Sequence, residues 1–273
     1  SYTYMWLSQS FIMKYTNAIL LFLFILISCK NPMEAQMATT VGVDFNKISE
    51  TFLERIKLNK DTKEIQELLA RTTIAELDAA LNNDAKRLAF WVNVYNAYIQ
   101  VILKEQPELY DDRGSFFKKE QITIAGETIS FAKIEHGIIR KSQWEYGLGM
   151  IRKWFPNKFE RKLRVDKRDY RIHFALNCGA KDCPPVSIYE WERLDEQFEK
   201  GTSSYLKNTT VYSKEKKEVA VTSLFSWFRG DFNGKSGVKK ILEKQGLIPT
   251  SKDIDLSYKD YDWTLDLDNF ISL

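Results

Sequence analysis

The chain has 273 residues, with 40 Lys and Arg, 37 Asp and Glu and a formal net charge of +3. Because this balance is near neutral and the two signs are interleaved along the chain, it excludes the strongly basic surface of a typical nucleic-acid-binding protein. We therefore expect no nucleic-acid partner. The length is ample to bury a hydrophobic core.

The N-terminal region has the layout of an export signal. Lys14 precedes an unbroken apolar stretch over 18–27, and Ser28 stands directly before Cys29. A positive charge, a short apolar region and a small residue at a cleavage site are the parts of a secretory signal. The apolar stretch is shorter than the roughly 20 residues needed to cross a bilayer.

The four residues Leu26-Ile27-Ser28-Cys29 resemble the bacterial lipobox, in which the cysteine is acylated and becomes the new N-terminus. We therefore expect residues 1–28 to be a signal peptide, with 1–12 upstream of a true start at Met13. An uncleaved anchor or an ordinary secretory signal is the alternative interpretation.

The rest of the chain is expected to form a tether and one domain. The stretch from Asn31 to about Gly42 is polar and rich in small residues, so we predict that 29–43 is a tether from the lipid to a single globular domain over 44–273. The partner implied is a membrane, reached through the lipid. We expect the protein at the bacterial cell envelope, outside the cytoplasm.

Apolar spacing predicts a helical first part of the domain. One helix, over 84–104, is apolar nearly all round, which places it at the centre of the domain. The other helices predicted here cover 45–56, Asp61 to Leu69 and Thr73 to Leu81.

The remaining patterns add a small amount of strand. They predict, in chain order, a hairpin over 121–130 that turns at Ala125-Gly126, a helix over 131–141, a buried strand over 171–178, a helix over 189–206, a hairpin over 210–222 and a helix holding Leu224, Phe225, Trp227 and Phe228. The fold class predicted is α+β, a helix-dominated single domain with a small, mainly antiparallel sheet.

A cysteine at the end of the predicted strand is the first candidate for chemistry. Cys178 opens the loop Gly-Ala-Lys-Asp-Cys-Pro-Pro, and Cys183 follows five residues later. A nucleophilic cysteine needs partial exposure and a nearby base or positive field. The backbone N–H groups around Gly179 are candidate donors to an oxyanion.

The chain has only two histidines to serve as a base, His136 and His173. In a strand, His173 and Cys178 would point to opposite faces, because they are an odd number of residues apart. His136 is therefore the predicted base for Cys178.

A third group usually fixes the tautomer of a catalytic imidazole. Asn93 and Asn96 lie three apart on one face of the predicted central helix, and Asn177 directly precedes Cys178. Buried amides need hydrogen-bond partners. These asparagines are the candidates to orient His136.

Other interpretations use the same residues. Cys178 and Cys183 could form a disulfide, which would remove the nucleophile, and each asparagine and histidine could be structural. The two cysteines with His136 and His173 also form a weaker candidate zinc set.

The chain lacks a Gly-rich phosphate loop and the common catalytic motifs, so no cofactor is predicted. Its tryptophans are dispersed along the sequence and predict core positions.

Several segments, taken in order, resemble the signature blocks of domain-of-unknown-function family 547. They are AFWVNVYNAY at 89–98, IEHGIIR at 134–140, HFALNCGAKDCPP at 173–185, LFSWFRGDF at 224–232 and YDW at 261–263. The resemblance implies one domain of a family without an established activity, frequent in secreted or lipid-anchored bacterial proteins.

The resemblance places emphasis on Asn93, Asn96, His136, Asn177, Cys178 and Cys183. A cysteine, a histidine and an asparagine invite comparison with papain-like enzymes, in which the cysteine precedes the histidine. Here the order is reversed, so the implied arrangement is a distant, permuted one.

The leading hypothesis is a cysteine-nucleophile hydrolase or acyl-transferase. In it Cys178 attacks an amide or ester of an unknown peptide, ester or envelope ligand, and His136 moves the proton. The alternative is a non-catalytic envelope binding or assembly domain with a Cys178–Cys183 disulfide.

Overall fold

A computed structural model of the chain describes residues 42–273. The predicted signal peptide, the predicted lipid attachment at Cys29 and the predicted tether before Gly42 lie outside those residues. Residues Asp44–Leu273 form one compact unit. Within 42–273, no helix combines the length and the apolar character that a membrane crossing requires.

Helices dominate the domain, and the prediction of a helix-rich α+β fold is confirmed. The α-helices are α1 (Phe45–Lys57), α2 (Lys63–Arg71), α3 (Ile74–Ala80), α4 (Asp84–Glu105), α5 (Arg113–Lys118), α6 (Lys158–Leu163), α7 (Leu194–Thr209), α8 (Leu224–Trp227) and α9 (Gly234–Lys244). The strands are β1 (Ile122–Ile124), β2 (Glu127–Ile129), β3 (Val211–Ser213), β4 (Glu218–Val221) and β5 (Asp255–Tyr258). Tighter 3-10 turns cover Pro107–Asp112, Glu145–Gly147 and Tyr170–Phe174, and a π-helix covers Lys133–Ile139.

Helix α4 is the centre of the domain, as its apolar sequence predicts. Its residues from Leu88 to Gln100 are all buried. At its start, the Asn83 side chain accepts a hydrogen bond from the Lys86 N–H, which satisfies one of the free donors of the first turn. Helix α1 packs along α4, where the rings of Phe52 and Tyr98 meet edge to face at 5.2 Å.

The strands form two small sheets in the described part of the chain, where the sequence predicted one. In the first, β1 and β2 pair as the predicted hairpin, and Ala125 and Gly126 both have positive φ, as a tight hairpin turn requires. In the second, β3 and β4 form the other predicted hairpin. Strand β5 adds to it in parallel, with Val219 opposite Leu256.

The prediction of a buried strand over 171–178 is wrong. Tyr170–Phe174 is a 3-10 turn, and the following residues are irregular. The physical reason is that side chains, and not a neighbouring strand, supply hydrogen-bond partners for backbone groups of this segment. The Asp169 carboxylate accepts the Arg171 N–H at 2.9 Å, and Asn96 bonds the segment further on.

Two asparagines of α4 hold the segment that follows. Asn96 Nδ2 donates to the Ala175 carbonyl at 2.9 Å, and its Oδ1 accepts the Asn177 N–H at 2.8 Å. Asn93 bonds the backbone of Tyr189 in the same two-sided way, at 2.8 and 2.9 Å. The central helix therefore fixes both ends of the irregular stretch that contains the two cysteines.

We expect Asn96→Ala to lower the free energy of unfolding by at least about 2 kcal/mol, because two buried backbone groups lose their partner at roughly 1–3 kcal/mol each. Urea unfolding followed by circular dichroism measures the change. Asn82→Ala, at an exposed position before the same helix, is the matched control and should change stability by no more than about 0.5 kcal/mol. Equal effects of the two substitutions would contradict this role of Asn96.

Candidate functional site

The π-helix Lys133–Ile139 presents Glu135 and His136, and Arg140 follows directly after it. The wider backbone turn of a π-helix is rare and occurs frequently at functional sites. Gly137 lets α6 approach closely, since a Cβ at this position would lie 2.9 Å from the Glu160 side chain. The segment therefore carries Glu135, His136 and Arg140 on a tightly packed support.

A disulfide joins Cys178 to Cys183 and closes a small loop. The Cys178 N–H donates to the Cys183 sulfur at 3.1 Å, and the Tyr261 hydroxyl donates to the same sulfur at 3.3 Å. The C-terminal segment runs along this loop, with the Asp266 N–H on the Gly179 carbonyl at 2.8 Å. The C-terminal segment therefore covers one side of the disulfide loop.

A cavity of about 220 Å³ lies between the π-helix, the disulfide loop and the C-terminal segment. We call it the aromatic pocket, because six rings line it: Tyr95, Phe117, Trp227, Phe228, Tyr261 and Trp263. The Trp227 and Trp263 rings stack at 5.3 Å. Four further lining residues carry reactive or titratable groups: Glu135, His136, His173 and Cys178.

A buried ionic network lies beside the pocket and is centred on Asp231. The Asp231 Oδ2 accepts hydrogen bonds from Arg140 Nε at 2.7 Å and from His173 Nε2 at 2.8 Å, and Oδ1 accepts from Arg168 Nη1 at 2.8 Å. The His173 ring stacks on Phe228 at 4.0 Å. Gly149 and Gly230 permit the close approach, since a Cβ at Gly149 would lie 2.6 Å from the Asp231 carboxylate.

The network sets the charge of its members. Burial by itself would raise the pKa of Asp231, but the hydrogen bond from His173 and the charge of Arg140 lower it to about 2. Burial lowers the pKa of His173, against the opposing effect of Asp231. At neutral pH the network therefore holds an ionised Asp231 and a neutral His173 between two guanidinium groups.

Arg140 also fixes the tautomer of His136. Arg140 Nη1 lies 2.5 Å from His136 Nδ1, and because a guanidinium can only donate, Nδ1 must accept. Burial lowers the pKa of His136, so the ring is neutral and carries its proton on Nε2. A general base needs the opposite tautomer, in which the outer nitrogen is free to accept a proton. In this form His136 is a hydrogen-bond donor.

The sequence-predicted site residues fall into two groups. Cys178, His136 and His173 all line the aromatic pocket. The prediction that His173 and Cys178 face opposite ways is wrong, because it depended on the strand that does not form.

The asparagines form the second group and bond the backbone. Asn93 and Asn96 bind the segment described above, and Asn177 Nδ2 donates to the Pro184 carbonyl at 2.8 Å while its Oδ1 accepts the Gly179 N–H at 3.0 Å. Arg140 holds Nδ1 of His136 in place of an asparagine. The proposed oxyanion donors are also engaged, since the N–H groups of Cys178 and Gly179 already have partners.

The weak zinc interpretation loses its thiolate ligands here, because both sulfurs are in the disulfide. Among residues 42–273 no group of His, Cys, Asp and Glu has the arrangement to hold a metal ion.

Sequence reasoning did not name Arg140, Asp231 or Glu135 as site residues. A signal for Arg140 was present, because it follows His136 by four residues, the spacing of neighbours on a helix face. Asp231 lies in the Arg-Gly-Asp of the block at 224–232, but nothing in the sequence pairs it with Arg140. The tryptophans are dispersed in sequence, yet Trp227 and Trp263 meet in the pocket.

The fold and the site define a helix-dominated α+β domain with an aromatic pocket bounded by a disulfide loop. Residues 79–206 match the family model described as "Protein of unknown function, DUF547". The match covers α4, the π-helix and the disulfide loop, and stops before Trp227 and Asp231. No curated protein matches the chain, and no solved structure matches it.

We expect Asp231→Asn to lower the free energy of unfolding by about 3–5 kcal/mol at pH 7, because it leaves the buried Arg140 without a counter-charge. The control is Asp166→Asn, an 87% exposed carboxylate paired with Arg87, for which an exposed ion pair predicts a loss below about 1 kcal/mol. Chemical denaturation of both variants measures the difference.

The ion pair of Asp231 with Arg140 also predicts how the free energy of unfolding depends on pH. The pKa of Asp231 is about 2 in the folded protein, below its ordinary value of 3.8. Its stabilisation is therefore complete above about pH 4 and is lost as the pH falls towards 2. We expect the difference between wild type and Asp231→Asn to be constant from pH 7 to 5 and to shrink below pH 4. A difference that does not change down to pH 2 would contradict the assignment.

Proposed function

We propose that the chain is a lipid-anchored binding protein of the bacterial cell envelope, and that its domain holds a small ring-bearing ligand in the aromatic pocket. The observation that carries this proposal is the pocket, in which six aromatic rings surround a cavity of about 220 Å³. Ligand sites are concave, mostly apolar and equipped with a few polar groups, as this one is.

The disulfide supports a binding role over a catalytic one. Cys178 is one wall of the pocket, and its sulfur is bonded to Cys183. A disulfide sulfur is not the thiolate that nucleophilic attack requires. In this form the loop stiffens the pocket wall.

Two features support the envelope location. The layout around Cys29 is that of an acylated export signal. A disulfide within the domain is typical of proteins that fold in an oxidising compartment outside the cytoplasm. The lipid anchor inserts into the membrane. The ligand of the aromatic pocket is a peptide, an ester or another compound of the envelope.

Filling the pocket should abolish binding. Ala132 lines the cavity, and we expect Ala132→Phe to occupy the space that a ligand needs. Saturation-transfer NMR with a panel of small aromatic compounds that includes indole measures binding. Wild type and Ala79→Phe, which adds the same ring at an exposed position of α3, should give signals that the Ala132→Phe protein lacks. Equal signals from all three proteins would place binding elsewhere and contradict the proposal.

A second candidate is the cysteine hydrolase or acyl-transferase, and one observation favours it. Cys178 and His136, distant in sequence, line the same pocket. The chemistry first requires an external thiol reductant to reduce the disulfide. His136 would then take the proton of the Cys178 thiol, and the thiolate would attack an amide or ester carbonyl to form a thioester. The amine or alcohol would leave with the proton from His136, and water or another nucleophile would then cleave the thioester. The chemistry also requires the His136 tautomer to reverse, because Arg140 now occupies Nδ1.

The oxidation state of the pair separates the two candidates. In protein recovered from membranes under thiol-blocking conditions, the binding role predicts an intact mass with Cys178 and Cys183 oxidised. It also predicts no labelling by iodoacetamide until reductant is added. The hydrolase predicts rapid labelling of Cys178 that falls at least tenfold in His136→Ala and is unchanged in the neighbouring control Lys133→Ala. Labelling that is the same in both variants would exclude His136 as the base.

A further inference from the structure

We propose that the aromatic pocket selects an organic cation with N–H donors, such as a protonated primary amine, through the carboxylate of Glu135. This inference rests on the proposed ligand-binding function and names the chemical class of the ligand.

Glu135 is a largely buried carboxylate without a hydrogen-bond partner in the part of the chain that the structure describes. Its side chain is 15% exposed, and Oε1 is shielded from solvent. Among residues 42–273, no donor bonds either oxygen. Burying a carboxylate without a hydrogen bond or a counter-charge is costly, so such groups in native proteins normally have a role. Glu135 lines the pocket, and a ligand there can donate to Oε2, the carboxylate oxygen that is not shielded from solvent.

The cationic side chains nearby are already committed. His136 Nδ1 lies 3.9 Å from Glu135 Oε1, beyond hydrogen-bond distance, and accepts from Arg140 instead. Arg140 is paired with Asp231 at 2.7 Å, and its partnerless nitrogen, Nη2, lies beside Gly149. Because His136 is neutral, the charge of Glu135 in the pocket is not balanced by a hydrogen-bonded cation.

The aromatic walls favour the same ligand class. Rings attract a cation over their faces, most strongly Trp and Tyr, and Tyr95, Trp227 and Phe228 line the pocket with Glu135. Burial, and then the negative charge of Glu135, raise the pKa of Tyr95, and both residues line the same pocket. The cavity of about 220 Å³ is smaller than the roughly 300–1,000 Å³ of sites for drug-sized compounds, so the ligand is small.

The contacts set an order of preference among simple probes. A neutral aromatic compound fills the apolar part and leaves Glu135 unpaired. A quaternary ammonium brings charge without an N–H, and a primary ammonium brings both. We therefore expect 2-phenylethylammonium to bind most tightly, its N-trimethyl derivative next and 2-phenylethanol least.

Isothermal titration of the full chain with these three probes tests the inference. We expect wild type to bind 2-phenylethylammonium at least tenfold more tightly than 2-phenylethanol. Glu135→Gln keeps the size of the side chain and removes its charge. It should weaken 2-phenylethylammonium binding by about tenfold to a hundredfold, the effect of losing a hydrogen bond to a charged group, and leave 2-phenylethanol unchanged. Glu127→Gln, on the hairpin outside the pocket, is the matched control and should match wild type.

Thermal unfolding distinguishes ligand recognition by Glu135 from a structural role, because the two roles predict opposite changes in the melting temperature of Glu135→Gln. Because Glu135→Gln removes an unpaired buried charge, we expect a melting temperature equal to or above that of wild type. A clear decrease would assign Glu135 a structural role and overturn the inference.

The outcomes separate this inference from the function on which it rests. Equal affinity of wild type for 2-phenylethylammonium and 2-phenylethanol, with both lost in Ala132→Phe, would overturn the cation preference and leave the pocket as a ligand site. Absence of binding by all three probes, or binding that Ala132→Phe does not affect, would overturn both. Affinity for 2-phenylethylammonium that is the same in wild type and Glu135→Gln would overturn the role of Glu135.

Discussion

The buried carboxylate of Asp231 holds the site together. It accepts hydrogen bonds from Arg140 after the π-helix, from His173 in the 3-10 turn and from Arg168 in the loop before that turn. The segment at Arg140, the stretch 168–173 and the segment of Asp231 itself are far apart in sequence and thus share one negative charge. A buried charge is stable only when it is paired and fully hydrogen-bonded, so the position of each segment depends on the other two.

This network also determines which groups in the pocket are chemically available. Arg140 uses Nε on Asp231 and Nη1 on His136, so His136 is a neutral donor and not a base. Within residues 42–273, the carboxylate of Glu135 on the pocket wall has no hydrogen-bond donor. An arrangement with one free carboxylate and six rings fits recognition of a cation better than it fits attack by a thiolate.

The disulfide loop has the second organising role. Its backbone is held by Asn96 and Asn177, and Tyr261 covers its sulfur from the C-terminal segment. The features that suggested an active site, namely a cysteine, the glycine that follows it and the asparagines, are here parts of the wall of the pocket or hold its backbone. The same residue types serve either purpose, because a buried amide bonds a backbone as well as an imidazole. Only the partners distinguish the two roles.

The sequence by itself determined the local structure of the domain. The apolar character of 84–104 predicted the central helix, and the alternation around Ala125-Gly126 predicted the first hairpin, since both patterns depend on periodicity within a short segment. It also selected Cys178 and His136, which line one pocket. It failed over 171–178, where Asn96 replaces a ladder of strand hydrogen bonds with side-chain bonds from a helix some eighty residues earlier. Tertiary structure alone decided that Cys178 is oxidised, that Arg140 and Asp231 set the charge of the site, and that Glu135 has no hydrogen-bond donor among residues 42–273. These outcomes depend on contacts between side chains that are far apart in sequence. Hydrophobic periodicity describes a short segment and does not predict such contacts.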